Sequence, residues 1–288
     1  MNYWSFLTRQ KGVILLCCCL AGGLFAARAL ETSTIEKRDC TAESTAQLTA
    51  CQTSNPFWVA QIARKITVRI LTEEGTGSGV IIDRNGDIYT VVTNEHVVES
   101  SEKNSYTVLT ADGKKHLGWR KNIVGLGNLD IALVQFKSPN TYRVAVMGNS
   151  KALSVGEPVC AAGFPRWHYI KNGNNIIGFQ DTREWGLKAL RVTTGKVGML
   201  PERSLARGYK LGYTNDIEQG MSGGPVLNQK GELVGINGKS KYPLDGIDAF
   251  LFADGTLPSE ELFLKMETLS WAIPSAYFEK IVGVGREF

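Results

Sequence analysis

The amino-acid sequence predicts an all-β fold, a barrel or a sandwich, with a short helical tail. Three observations carry this. Strand-sized apolar runs recur with turn residues between them, and no repeating βα rhythm appears before the C-terminus. Beyond residue 29 the chain has about 259 residues, enough for two barrels and a tail.

The first 29 residues read as a targeting segment. Arg9 and Lys11 precede an apolar run from Val13 to Ala27, and Ala27-Arg28-Ala29 offers a cleavage site before Leu30. The run is short of the roughly 20 apolar residues of a membrane span, so an uncleaved anchor is the weaker alternative. Cys17, Cys18 and Cys19 would leave with this segment. Removing its three basic residues leaves 29 basic against 28 acidic, a balance of +1. That balance calls for no nucleic acid and no anionic membrane as partner. Cys40 and Cys51 are spaced for a local disulfide in an exported chain, with free thiols the alternative. Cys160, in Pro158-Val159-Cys160-Ala161-Ala162, reads as a small buried apolar residue. No Cys/His spacing suggests zinc, and no metal or cofactor is expected.

Residues 30–55 are polar and predict an arm, and Asn55-Pro56 opens a short helix through Arg64. Ile66–Leu71 alternates as a half-buried strand does. Val80-Ile81-Ile82 and Ile88–Val92 flank Asp83-Arg84-Asn85-Gly86-Asp87, whose Asn-Gly is a hairpin signal. The acidic residues there lack the full ligand spacing of a calcium loop. Further strands are expected at Tyr106–Leu109, Ile131–Phe136, Glu157–Ala162, Ala189–Thr194, Gly224–Leu227 and Glu232–Ile236. Helices are expected at Pro258–Leu269 and Ala276–Val282, the second with Ser275 as its cap. The stretch from Arg166 to Lys188 reads as an insertion holding Trp167, His168, Tyr169 and Trp185; it borders a cleft or a subunit contact, or is a plain surface loop.

Gly220-Met221-Ser222-Gly223-Gly224-Pro225 sets a serine among glycines. Such a turn holds a hydroxyl clear of the backbone and aims N–H groups at one point, as a nucleophile beside an oxyanion hole requires. The same letters fit the nucleophile elbow of α/β-hydrolases, which needs a histidine after the serine. All three histidines, His96, His116 and His168, precede Ser222, so that reading fails. The order His, Asp, Ser remains. His96, in Thr93-Asn94-Glu95-His96-Val97-Val98, sits where an apolar strand ends and a loop opens. Asp130 stands at the mouth of the buried strand Ile131–Phe136, placed to be sequestered and still meet an imidazole. His116 reads as structural, and His168 lies in the insertion.

The set Thr93–Val98, Asp130–Leu133 and Gly220–Pro225 resembles the trypsin/chymotrypsin superfamily of serine proteases. Its flanks resemble the bacterial HtrA-type and glutamyl-endopeptidase-like branches: Gly77–Ile82 resembles the HtrA-type opening strand, and Ala272-Ile273-Pro274 the end of that protease domain. The resemblance implies two six-stranded antiparallel β-barrels of the chymotrypsin type with a C-terminal helix. Beyond the signal peptide read over 1–29 and the arm and helix over 30–65, it implies a protease domain over 66–282. Within that domain the barrels fall at about 66–145 and 150–255 and the tail at about 258–282, and the remaining residues are expected to hold no PDZ-type peptide-binding module. It implies catalysis by His96, Asp130 and Ser222, with the N–H groups of Gly220 and Ser222 as oxyanion hole, acting on protein or peptide substrates outside the cytoplasm, in periplasm or medium.

The sequence departs from the family pattern in three places. Met221 stands where animal trypsin-like enzymes carry the aspartate that receives a newly cut N-terminus, which predicts no such zymogen switch. Asp216 matches the position by which trypsin selects Arg and Lys, with a structural loop carboxylate as the alternative. Asn237, followed by Gly238, stands where glutamyl endopeptidases use a histidine. Asp216, Asn237 and Gly238 are therefore the expected substrate-binding residues. Two other functions are open to the same residues, a silent protease-like binding protein and an esterase. An intact set of catalytic positions argues against the first, and cleavage within a polypeptide would distinguish the leading reading from the second.

Overall fold

A computed structural model describes residues 56–279 apart from 74, 100, 102–104, 123–126 and 174. The predicted targeting segment, the Cys40/Cys51 pair and the last residues of the expected C-terminal helix lie outside the described residues.

The chain enters through helix α1 (Pro56–Ile66), two residues longer than the sequence suggests, so that Ile66 closes the helix instead of opening the first strand. Its apolar residues at i, i+3, i+4 and i+7 (Val59, Ile62, Ala63 and Ile66) form one buried stripe, as a 3.6-residue period dictates. That stripe lies mainly on the second barrel. Six strands follow: β1 (Thr67–Leu71), β2 (Thr76–Asn85), β3 (Ile88–Thr93), β4 (Ser105–Leu109), β5 (Lys115–Lys121) and β6 (Ala132–Lys137). They close antiparallel in the order β1-β2-β3-β6-β5-β4, with β4 returning to β1. The Asn-Gly signal holds: Asn85 pairs with Ile88 across a two-residue loop whose Gly86 takes φ 58°. Strand β5 escapes the sequence reading because Lys115-His116-Leu117-Gly118-Trp119-Arg120-Lys121 offers no apolar face, and Leu117 and Trp119 are exposed.

Strand β7 (Pro158–Gly163) begins the second barrel. A hairpin of β8 (Trp167–Asn172) and β9 (Asn175–Asp181) stands outside both barrels as its own two-stranded sheet. Then come β10 (Arg191–Met199), β11 (Leu211–Tyr213), β12 (Pro225–Leu227), β13 (Leu233–Lys239), helix α2 (Glu260–Met266) and β14 (Ser270–Pro274). These close in the order β10-β11-β14-β13-β12-β7, with β7 pairing back to β10. Strand β14 pairs with both β11 and β13, so the second barrel runs to Pro274 instead of ending near residue 255. Ser259 caps α2 through Leu262 N–H. The described part of the expected last helix is a 3₁₀ turn at Ser275–Tyr277, with Pro274 and not Ser275 at its cap.

Each barrel has its own apolar interior. Ile70, Tyr89, Val91 and Phe136 fill the first, and Val159, Leu211, Val226 and Val234 the second. The largest cluster joins them. Val80, Val92 and Leu133 turn outward from the first barrel to meet Cys160, Ala162 and Leu227 of the second and Ile62 of α1. Strands buried on both faces read as continuous apolar runs, as Val80-Ile81-Ile82 does. Cys160 is a buried free thiol, pushed up to about 11 by that burial, with nearby Arg64 opposing. No helix among the described residues is long and apolar enough to cross a membrane.

Candidate active site

His96 is delivered by the end of β3. Thr93 and Asn94 are buried there, and Glu95–Val98 forms a single helical turn. Thr93 Oγ1 donates to Ser78 O at 2.7 Å, and Asn94 Nδ2 to Asp130 O at 2.9 Å. Arg120 reaches from β5 to place one nitrogen 2.7 Å from both Glu95 oxygens, which fixes the turn from its other side. The imidazole, one-third exposed, therefore meets Asp130, whose carboxylate is 2 % exposed. His96 Nδ1 lies 2.7 Å from Asp130 Oδ2, and the His96 backbone N–H donates to Asp130 Oδ1 at 3.0 Å.

Two residues that the sequence reading did not single out complete the environment of Asp130. The Tyr209 hydroxyl donates to Oδ2, and the Arg207 guanidinium lies 3.0 Å from Oδ1. Burial alone would raise the Asp130 carboxyl. The bond and charge of His96, the Tyr209 hydroxyl and the His96 N–H outweigh burial and hold it down to about 2. Asp130 is thus ionised at neutral pH and accepts only, so Nδ1 of a neutral His96 keeps its proton and Nε2 is left basic.

The serine turn arrives from the second barrel. Gly220 has φ 94°, and a Cβ there would sit 2.6 Å from Phe164 O; only glycine meets both conditions. The N–H groups of Gly220 and Ser222 have no hydrogen-bond partner among the described residues, whereas Met221, Gly223 and Gly224 all donate within the fold. Ser222 Oγ donates to Gly238 O at 3.4 Å.

Ser78 ties the barrels together at this point. Its N–H donates to Ser222 O, its Oγ donates to Gly220 O, and Phe164 N–H donates to that Oγ, each at 2.8 Å. One first-barrel residue thereby holds the carbonyls on both sides of Met221. Its only signal in the sequence is Gly77-Ser78-Gly79, small residues that admit a close backbone approach.

The expected substrate-binding residues fare differently. Asn237 is fully buried and presents nothing to a ligand. Its Nδ2 donates to Ala162 O at 2.8 Å and Met221 O at 3.3 Å, and its Oδ1 accepts from Tyr213 at 2.7 Å. It braces the serine turn from behind. Asp216 is exposed and paired with Lys241 at 2.7 Å, so its charge is already answered. Gly238 stands beside Ser222. Met221 is buried in the second-barrel core and supplies no carboxylate for a chain terminus. Among the other histidines, His116 is half-buried and bonded to Tyr142 at 2.9 Å, burial lowering its pKa, and His168 lies exposed on β8 against Trp185.

The model of the trypsin-like peptidase domain matches residues 77–236, more than half the chain. The chain belongs to the trypsin-like peptidase family. Among curated relatives, this family member is 33% identical over 201 residues to the serine protease Do-like HtrA of Bacillus subtilis, covering 66% of this chain and 38% of that protein. It is 36% identical over 165 residues to the periplasmic serine endoprotease DegP of Escherichia coli, covering 56% of this chain and 29% of that protein. It therefore spans less than half the length of the relatives it matches. A solved structure of the HtrA-type protease AlgW with tripeptide superposes with TM-score 0.53 at 18% identity, covering 80% of this chain and 62% of that one, a likeness of fold.

Proposed function

We propose that this trypsin-like peptidase is an exported serine endopeptidase that works through His96, Asp130 and Ser222. In this reading His96 Nε2 takes the Ser222 hydroxyl proton as Oγ bonds to the scissile carbonyl carbon. The carbonyl oxygen becomes an oxyanion facing the N–H groups of Gly220 and Ser222. The tetrahedral intermediate collapses, the C–N bond breaks, and His96 gives the proton to the leaving amine. Water then repeats the sequence on the acyl-enzyme and releases the acid. Asp130 keeps the imidazole in the tautomer with a basic Nε2 and stabilises the imidazolium.

The observation that carries this reading is the pairing of His96 Nδ1 with a buried, ionised Asp130 on the barrel that also anchors the serine turn through Ser78. The unengaged N–H groups of Gly220 and Ser222 support it, as does the naming of the HtrA and DegP relatives as serine proteases. The periplasmic setting of the Escherichia coli relative and the N-terminal Arg9, Lys11 and apolar run favour an extracytoplasmic location. Substrates are proteins or peptides in this reading. The test incubates the full chain and its Ser222→Ala variant with a peptide library varied at the residue before the cut. Cleavage by the parent alone is expected. Equal cleavage by both proteins would sink the proposal.

A further inference from the structure

We infer that Tyr209 and Gly238 form a positioning pair for Asp130: the missing side chain at 238 admits the phenol whose hydroxyl grips the carboxylate oxygen facing His96. This rests on the peptidase reading above.

Asp130 Oδ2 accepts from two donors, His96 Nδ1 and the Tyr209 hydroxyl. The first belongs to the same barrel as Asp130; the second comes across the gap, from just before β11. Tyr209 is 2 % exposed, so its hydroxyl has no water to fall back on. A Cβ placed on Gly238 would lie 2.6 Å from Tyr209 Cζ and nearer still to Cε1 and Oη. Tyr209 in this position and any side chain at 238 are therefore mutually exclusive. The carbonyl of Gly238 also faces Ser222 Oγ. A single residue of β13 thus touches both the serine hydroxyl and the tyrosine that steadies the aspartate.

The turn before Tyr209 completes the grip. Arg207 takes φ 61°, a left-handed conformation costly for a side-chain-bearing residue, and Gly208 takes φ 90°. This shape turns the Arg207 carbonyl to the Asp130 N–H at 3.0 Å and its guanidinium to Oδ1. Each carboxylate oxygen is thus held from both barrels: Oδ1 accepts from the His96 N–H and pairs with the Arg207 charge, and Oδ2 meets His96 Nδ1 and the Tyr209 hydroxyl. The Lys239 ammonium lies 5.0 Å over the Tyr209 ring, a cation–π contact that helps hold the ring in place. Burial first, and then the Asp130 charge, push the Tyr209 phenol well above its ordinary value, so it keeps its proton at any working pH. Orientation of the aspartate is thereby set from the second barrel, and the His96 ring plane follows from it.

The test uses the full chain, its Tyr209→Phe, Tyr209→Ala and Gly238→Ser variants, and the double variant Tyr209→Ala with Gly238→Ser. Three quantities are measured: kcat and KM on a peptide the parent cleaves, the downfield proton resonance of His96 Nδ1–H, and the thermal unfolding midpoint. Tyr209→Phe keeps the ring and loses only the donor, so the protein should still unfold cooperatively, with its midpoint lowered by a few degrees. Its kcat should fall about tenfold with KM within about twofold, because the lost bond is to a charged group that does not touch substrate. The Nδ1–H resonance should move. Gly238→Ser should behave alike, its Cβ displacing the phenol. The double variant sets a serine hydroxyl into the vacated space and should recover part of the kcat lost in Tyr209→Ala. An absent resonance in the parent, or one unmoved in Tyr209→Phe, overturns the inference. So does additivity of the two substitutions, which would mark them as independent. Should the parent cut no peptide, the peptidase reading fails separately, and the resonance still decides between a positioning residue and a filler of space.

Discussion

Ser78 makes three hydrogen bonds to the second barrel through one N–H and one hydroxyl, two of them to the backbone around Ser222. Ser78→Ala keeps the N–H bond and leaves the Gly220 carbonyl and the Phe164 N–H without their buried partner. The expected cost is about 1–3 kcal/mol of stability, read by denaturant unfolding, with a fall in kcat that exceeds any change in KM. Asp216 calls for a different expectation at the same scale. Its charge is taken up by Lys241, so the parent should show no preference for Arg or Lys before the cut. Lys241→Ala frees the carboxylate and should raise cleavage after Arg and Lys severalfold in the same peptide library; an unchanged profile would place Asp216 outside the specificity site. Residue-level legibility follows the same division. The candidate residues Ser222, His96 and Asp130 stand out in the sequence because their chain order and local texture are peculiar. Ser78, Arg207 and Tyr209 were not, because each acts through a contact over 75 residues away in the chain that no local pattern encodes. Asn237 illustrates the same limit: its strand is plain in the sequence, but the inward turn of its amide to Met221 and Ala162 is not.

At the scale of elements, apolar runs of five or more residues and glycine-marked turns are readable, whereas short or mixed-face strands that close a barrel are not. Strand β5 has charged residues at both ends and exposed Leu117 and Trp119, while β11 is three residues long. The β8–β9 hairpin has its own turn signal, Asn172-Gly173 between two runs of strand-forming residues. Its Ile170, Ile176, Ile177 and Phe179 are exposed, so it contributes little to the core. Its base is nevertheless firm: Thr182 N–H donates to Arg166 O at 2.9 Å, and buried Arg69 of β1 donates to Thr182 O at 2.7 Å. Replacing residues 167–181 by a short glycine linker should therefore leave stability within about 1 kcal/mol of the parent. It removes the bond from Trp167 Nε1 to Gln219 Oε1, three residues before Ser222, and should raise KM for peptides. A protein that no longer unfolds cooperatively would show the hairpin to be structural.

Over the whole molecule, two barrels with separate interiors share one apolar seam, and the candidate site lies where polar contacts cross between them. Asp130 links that site to stability. Its folded carboxyl, held near 2 against about 3.9 in an unfolded chain, contributes stability in full above pH 4. That contribution, on the order of 2 kcal/mol, is lost as pH falls through the folded value. Urea unfolding of the parent should accordingly weaken between pH 4 and pH 2 by more than that of Asp130→Asn; equal slopes would mean that the carboxylate is not held as described. An all-β fold is legible from strand spacing and length, and the two barrels from the family resemblance, but the seam is not, since outward-facing Val80, Val92 and Leu133 look no different in sequence from inward-facing Val91 and Val134.

The claim on which the rest depends is that Ser222 is a nucleophile activated by His96. Its most direct test is the intact mass of the full chain after exposure to a fluorophosphonate, which captures an activated serine irrespective of peptide preference. A single adduct on Ser222 is expected in the parent, with none in Ser222→Ala and far slower capture in His96→Ala. An unmodified parent, or an adduct that persists in Ser222→Ala, would contradict it.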